Sequence, residues 1–263
     1  MQPDLRYGSG RARVEEMSSS FSTRVASLHQ PPALAAGQVH VWKIWQRPAR
    51  FADFTSLLSI DEMERASRLR TTVLFHRFAA NHGMLRLLLG GYLGMDPRRL
   101  QFAANPYGKP SLKDTGLHLR FNMSHSEDLM LLAVCLHTEI GIDVEAVRPV
   151  PEWQDIAKSH FSDDEYRSVM AESHHLDAFF RCWTRKEAVI KAMGMGLSMP
   201  LNSFTVSAAE QAALLHCAWD GTAASRWTLA HLEPAAGFLG ALAIEGAEWS
   251  IQQFDCPESL WNL

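Results

Sequence analysis

Two periodicities alternate along this chain. Apolar residues at steps of three and four predict helices, and shorter continuous or alternating apolar runs predict strands. A capping-box pattern, Ser59-Ile60-Asp61-Glu62, opens a helical segment rich in arginine (Arg65, Arg68, Arg70). An apolar-periodic stretch from Val73 to Leu93 follows, broken by Gly90-Gly91. Asn105 to Pro110 (NPYGKP) is a turn cluster, and strand-like runs come next at Leu117–Phe121, Leu129–Leu136 and Ile140–Val144. After Pro149-Val150-Pro151, a second capping box, Ser162-Asp163-Asp164-Glu165, restarts the helices. Leu176, Phe180, Trp183 and Ile190 trace the buried stripe of a helix that Gly194 and Gly196 stop. Strand-like runs resume at Ser203–Val206, Arg226–His231, Phe238–Ile244 and Trp249–Gln252.

Helices then strands, twice over, predict an α+β fold of two similar halves, each with helices packed on a small, mostly antiparallel sheet. The order places residues 37–137 in an N-terminal half and 138–263 in a C-terminal half, joined near Leu136–Gly141. Residues 1–36, whose opening stretch is rich in Ser, Gly and Arg, read as a flexible N-terminal extension with no apolar signal core.

Composition narrows the class. Of 263 residues, 47% are hydrophobic and 21% charged, the balance of a soluble globular protein. The apolar stretch Leu85 to Leu93, interrupted by Arg86, is too short for a bilayer, so no membrane partner is expected. Four scattered cysteines with no CxxC predict a reducing cytoplasm and no cysteine-rich zinc site. A net charge of −4 speaks against nucleic acid as a partner. The His174-His175 pair has no companion ligand in the sequence and reads as surface.

The chemistry concentrates in EIGIDVE and WTRKEAVIK. In a strand, Asp143 and Glu145 share a face. That face is either an acidic solvent side or a pair of metal ligands. At about 7 Å and an effective dielectric near 20, the two carboxylates repel by roughly 2 kcal/mol, a penalty that a hard divalent cation such as Mg²⁺ or Mn²⁺ would reverse. Glu187 falls on the apolar stripe with Lys191 at i+4. It is a third ligand, the N3 residue of a Thr184-x-x-Glu187 capping box, or half of a surface ion pair with Lys191. Ser124 and His125 in FNMSHSED, Lys109 in YGKP, and the arginines Arg65, Arg68, Arg70 and Arg77 are phosphate-binding types that equally suit turns and wet faces.

GIDVE, the W-x-x-K-E-A-x-x-K of Trp183 to Lys191, FNMSHS and YGKP together resemble the 4′-phosphopantetheinyl transferases, closest to the monomeric, surfactin-synthetase-activating type. The resemblance runs from about Ser59 to Val206. It implies a pseudo-twofold pair of α/β halves, with Asp143, Glu145 and Glu187 as Mg²⁺ ligands and Lys191 beside the pyrophosphate of coenzyme A. Ser124 and His125 match its phosphate contacts, Lys109 the nucleotide-side lysine, and Arg65 a basic residue near the 3′-phosphate. Glu62 and Ser67 stand where the family often carries lysines. The activity implied is a Mg²⁺-dependent transfer of 4′-phosphopantetheine from coenzyme A to a serine of an acyl or peptidyl carrier protein, serving fatty-acid, polyketide or nonribosomal peptide synthesis. Glu187 and Lys191 would be catalytic, and adenosine 3′,5′-bisphosphate would leave. A module that binds carrier or coenzyme A without transfer is the alternative. The segment Val150 to Phe161 is expected to offer the carrier an exposed apolar patch that includes Trp153.

Overall fold

The computed structural model describes residues 30–261 except 114, 115, 117 and 219–222. The expected N-terminal extension lies outside the described residues up to residue 29. The described elements are β1 (Gln38–Trp45), α1 (Ile60–Ser67), α2 (Thr72–Leu93), β2 (Phe102–Ala104), β3 (Pro110–Leu112), β4 (Leu119–Ser126), β5 (Leu129–Leu136) and β6 (Ile140–Ala146). Three helices follow: α3 (Trp153–His160), α4 (Asp163–Ala171) and α5 (His175–Met193). The series ends with β7 (Phe204–Val206), β8 (Leu214–Cys217), β9 (Trp227–Leu232), β10 (Phe238–Glu245) and β11 (Ser250–Asp255). The fold is α+β. Five α-helices accompany several small sheets, antiparallel throughout except where β11 pairs parallel with β1. The chain forms two compact units. One holds Pro48–Leu100 and the chain from Pro257; the other holds Leu34–Arg47 and Gln101–Cys256.

In the first unit, α1 starts at the expected capping box. Ser59 Oγ accepts from the Glu62 N–H at 3.3 Å, and Glu62 Oε2 accepts from the Ser59 N–H at 2.8 Å. The same carboxylate takes two bonds from Arg86 in α2, from Nε and a terminal nitrogen, each 2.8 Å long. Arg86 is 1% exposed and also donates to the carbonyls of Pro97 and Leu100. Gly94, at φ +61°, closes α2.

The second unit is built in three layers. Its first sheet has the order β11-β1-β5-β4 and its second β6-β10-β9. Val39, Val41, Leu129, Leu131 and Ala133 of the first sheet pack on Ile140, Ile142, Val144, Leu242 and Ile244 of the second. On the other side of the second sheet, Ala241 and Ala243 meet Ala178, Cys182, Ala188, Val189 and Ala192 of α5. The helix lies directly on β6: a Cβ at Gly141 would stand 1.9 Å from the Ala188 carbonyl oxygen and 2.4 Å from the Ala192 nitrogen. Only glycine permits that approach.

The second capping box repeats the design of the first. Glu165 Oε2 accepts from the Ser162 N–H at 2.7 Å, and Lys186 of α5 reaches both carboxylate oxygens at 2.6 and 2.7 Å. Both side chains are fully buried. Lys186 also donates to the Phe204 carbonyl, and Glu165 Oε1 accepts from the Val206 N–H. In each unit a cap glutamate therefore neutralises a buried cation in the following long helix, 24 and 21 residues on. A left-handed glycine, Gly94 or Gly194, stands eight residues beyond that cation in both. This internal likeness is far clearer in the bonding than in the strand sequences.

Two expectations are corrected. Val150, Trp153 and Ile156 are half-buried against the core of the second unit, and Phe161 is 4% exposed, so Val150–Phe161 offers no exposed apolar patch. The short helix α3 turns Gln154, Asp155, Lys158 and Ser159 to solvent instead. The run read as Leu117–Phe121 is β4, Leu119–Ser126, with Leu117 outside the described residues. Strand β1, QVHVWKIW, had no counterpart in the sequence reading. Among the described residues, no helix is long and apolar enough to cross a membrane, and all four cysteines are free thiols.

Lys186→Met leaves the Glu165 carboxylate buried without its cation and should cost about 3–5 kcal/mol in denaturant unfolding. Adding Glu165→Gln should recover at least half of that loss, because the neutral amide keeps the acceptor role without the charge. A double variant no more stable than the single one would show the pair is not what holds the helix. In the first unit, burial would raise the Glu62 pKa, but bonds from His82, Ser59 and Arg86 overcome it and hold it at about 2. A lowered folded-state pKa means stability present above the ordinary 4.5 and lost as pH falls towards 2. Unfolding followed between pH 7 and 2 should show that acid limb, and Glu62→Gln should flatten it.

Candidate functional site

Strand β6 is the edge of its sheet, and β4 runs beside it. Alternate β4 side chains, Asn122, Ser124 and Ser126, face that edge and serve it in place of a neighbouring strand's backbone. Asn122 Oδ1 accepts from the Ile142 N–H at 2.9 Å, and Ser126 Oγ accepts from the Ala146 N–H at 3.1 Å. The hydroxyls also reach the acidic pair. Ser124 donates to Asp143 Oδ1 at 2.7 Å and Ser126 to Glu145 Oε2 at 2.8 Å.

From the other side α5 brings Lys191. Its ammonium lies 2.6 Å from Asp143 Oδ1 and 2.9 Å from Ser124 Oγ. Asp143 is 4% exposed, and its second oxygen, Oδ2, is buried with no hydrogen-bond partner among the described residues. A buried carboxylate oxygen without a donor is costly. Glu187 lies one turn before Lys191 and is half-buried. Burial, then the Asp143 charge, pushes its pKa upward against the pull of Lys191. Burial likewise raises Glu145, with Asp143 adding to the shift and the Ser126 hydroxyl and Arg148 opposing it. Three carboxylates thus crowd one lysine, and burial first, then the neighbouring Asp143 charge, disfavours the charged forms of Glu145 and Glu187. As they stand, no three His, Cys, Asp or Glu residues among those described are grouped tightly enough to hold a metal ion.

Glu187 lies in the middle of α5, and Thr184 Oγ1 bonds back to the Phe180 carbonyl, which excludes the capping-box reading. It lines a cavity of about 250 Å³ together with Lys191, Ile190, Tyr107, Lys109 and Asn122. The NPYGKP turn forms the far wall and is tied to the end of α5. Asn105 Nδ2 donates to the Gly194 carbonyl at 2.6 Å. Lys109 is held by three acceptors: Glu139 at 2.5 Å and the carbonyls of Ile140 and Ala192 at 3.1 and 3.2 Å. Its ammonium caps the negative end of α5 as well as lining the cavity.

The structure therefore brings Ser124, Asp143, Glu145, Glu187 and Lys191 together, with Lys109 at the wall of the same cavity. His125 is exposed, on the side of β4 that alternation turns away from β6. Arg65 belongs to the other unit, exposed on α1 with its guanidinium 5.4 Å from the Phe78 ring centre. Sequence reasoning missed Asn122, Ser126 and Asn105. The first two were signalled by strict alternation in FNMSHS, where every second residue is small and polar.

The model of the 4′-phosphopantetheinyl transferase superfamily matches residues 139–245, from the start of β6 to the end of β10. The chain is 36% identical over 231 residues to the 4′-phosphopantetheinyl transferase HetI of Nostoc sp., covering 84% of this chain and 94% of that protein. It is 34% identical over 152 residues to a putative 4′-phosphopantetheinyl transferase of Synechocystis sp., spanning 57% of this chain and 62% of that one. With the 4′-phosphopantetheinyl transferase Sfp of Bacillus subtilis it shares 33% identity over 155 residues, 58% of this chain and 67% of the relative. Similarity across nearly the whole of one relative, carrying the acidic strand and the lysine helix with it, makes this chain a member of the 4′-phosphopantetheinyl transferase superfamily.

Proposed function

We propose that this protein transfers the 4′-phosphopantetheine group of coenzyme A to a serine hydroxyl of an apo acyl or peptidyl carrier protein. The observation that carries the reading is the partly buried group of Asp143, Glu145, Glu187 and Lys191 beside a cavity walled by Lys109. A phosphoryl-type transfer asks for cations around a pyrophosphate and a base at the attacking hydroxyl. Both are within one side chain's reach of Asp143.

The donor set fits a hard divalent cation. The candidate ligands are all carboxylate oxygens, Asp143 Oδ2 lacks a donor, and the pKa values of Glu145 and Glu187 are raised by burial and then by the Asp143 charge, a repulsion that a cation relieves. Asp143, Glu145 and Glu187 would hold Mg²⁺, or Mn²⁺, which when bound neutralises charge on the pyrophosphate oxygens. Lys191 would then exchange its contact with Asp143 for the phosphate. Ser124 steers both partners, since its hydroxyl donates to the aspartate and accepts from the lysine. Glu187 takes the proton of the attacking serine, whose oxygen bonds to the phosphorus bearing pantetheine as the pyrophosphate P–O bond breaks. Adenosine 3′,5′-bisphosphate leaves. The acceptor comes from the partner, so the encounter is transient and the chain acts as a monomer. Four free thiols suit a reducing cytoplasm.

Incubating the protein with coenzyme A, Mg²⁺ and a panel of apo-carrier proteins should add one phosphopantetheine to the carrier's intact mass. A protein that binds coenzyme A and carrier yet never adds that mass would be a binding module instead. Asp143→Ala should abolish transfer while the thermal transition survives, because losing a partly unsatisfied carboxylate also removes repulsion. Glu187→Gln should lower kcat at least ~10²-fold, the low end for a lost general base, with coenzyme A still bound in calorimetry. Near-normal transfer by Glu187→Gln would remove Glu187 from the proton path.

A further inference from the structure

Glu139, the residue before β6, has no part in the chemistry above. Its two carboxylate oxygens hold two cations: Oε2 takes Lys109 Nζ at 2.5 Å, and Oε1 takes Arg120 Nε at 2.9 Å. Arg120 extends the row of β4 side chains that face β6, one place beyond Asn122, which lines the cavity. The Glu139 side chain is 55% exposed, whereas that of Lys109 is only 10% exposed.

The bonding of Lys109 decides what that contact is for. An ammonium group has three N–H donors, and all three on Lys109 are engaged, by Glu139 and by the carbonyls of Ile140 and Ala192. None is left for a ligand in the cavity unless one acceptor withdraws. The two carbonyls are backbone of β6 and α5 and cannot. The lysine stem is packed as well: it lies so close to Gly194 that a Cβ there would stand 3.2 Å from Lys109 Cδ. Glu139 is the acceptor that can swing into water, and its departure releases a donor on Lys109 and one on Arg120 together.

We propose that Glu139 is a placeholder for a phosphate group of the donor substrate: it neutralises Lys109 and Arg120 until that phosphate displaces it and takes both cations. The inference rests on the transfer reading above, which supplies the phosphate-bearing ligand. It adds Arg120 to the groups that grip coenzyme A and makes Glu139 the residue that sets how tightly. A ligand has to offset the lost Glu139 contacts, so only a group that accepts from both cations at once gains by the exchange.

Calorimetric titration with coenzyme A, Mg²⁺ present and no carrier protein added, supplies the test. Glu139→Gln should bind coenzyme A about three- to fivefold more tightly than the wild-type protein, the range for releasing a partly exposed ion pair. Arg120→Gln should bind it at least ~5-fold more weakly, and in that background the gain from Glu139→Gln should fall by half or more. Unchanged or weaker binding by Glu139→Gln overturns the proposal and leaves Glu139 as a brace for the turn. A gain of equal size in both backgrounds overturns it too, since the loss of one negative charge near an anion would account for that alone. Dephospho-coenzyme A, which lacks the 3′-phosphate, tells which phosphate is meant. A gain confined to coenzyme A assigns the exchange to the 3′-phosphate, and a gain shared by both ligands assigns it to the pyrophosphate. If Glu139→Gln shows no thermal transition, Glu139→Ala decides the matter by the same readings. If the wild-type protein transfers to no carrier, the transfer reading fails by itself, and these titrations still judge the placeholder. A wild-type protein that binds neither ligand overturns it outright.

Discussion

Helix α5 can lie on β6 only because residue 141 has no side chain. With a Cβ there the helix backbone would have to retreat by more than an ångström, since the nearest atoms are backbone and cannot rotate away. The retreat would move Glu187 and Lys191 together, as both ride on that helix. A 2.6 Å contact between Lys191 and Asp143 leaves no slack for such a shift. The glycine of GIDVE is thus the spacer that sets the reach of Glu187 and Lys191, although it touches neither.

The buried pair behind the site makes that placement rigid. Lys186 precedes Glu187 in sequence and points away from the site, into Glu165 and the Phe204 carbonyl. Consecutive helix residues face about 100° apart, so anchoring one cation fixes the rotation of the next carboxylate. The first unit keeps the same anchor, Arg86 on Glu62, yet carries Leu87 and Gly91 where the second carries Glu187 and Lys191. Within one chain, then, the parts common to both units are those that fold it, and the parts found once are those that react.

Much of this was legible beforehand because it depends on local rules. Both capping boxes, the glycine stop at Gly194 and the strands around GIDVE follow from propensity and period. The alternation in IDVE put Asp143 and Glu145 on one face, and the structure keeps them there. What stayed hidden depends on distant partners. Lys109 reads as a solvated turn lysine until the end of α5 is seen beneath it. Trp153 reads as part of an exposed patch in the segment Val150 to Phe161, and only the packing shows that it is turned against the core. Strand β1 has its apolar residues on both faces, so period-two counting finds little contrast there.

The pairing of β1 with β11 has a bearing on how the chain is made. The two strands are more than 200 residues apart in sequence, yet they match in register from Gln38 with Ser250 to Lys43 with Asp255. During synthesis β1 emerges early, and β5 can cover one flank as soon as residue 136 has left the ribosome. The other flank stays bare until residue 255 is out. An unpaired strand flank rich in Val, Ile and Trp is a template for adhesion to other nascent chains. At a translation rate of about 5–20 residues per second, that exposure lasts on the order of ten seconds, long enough for a holding chaperone to matter.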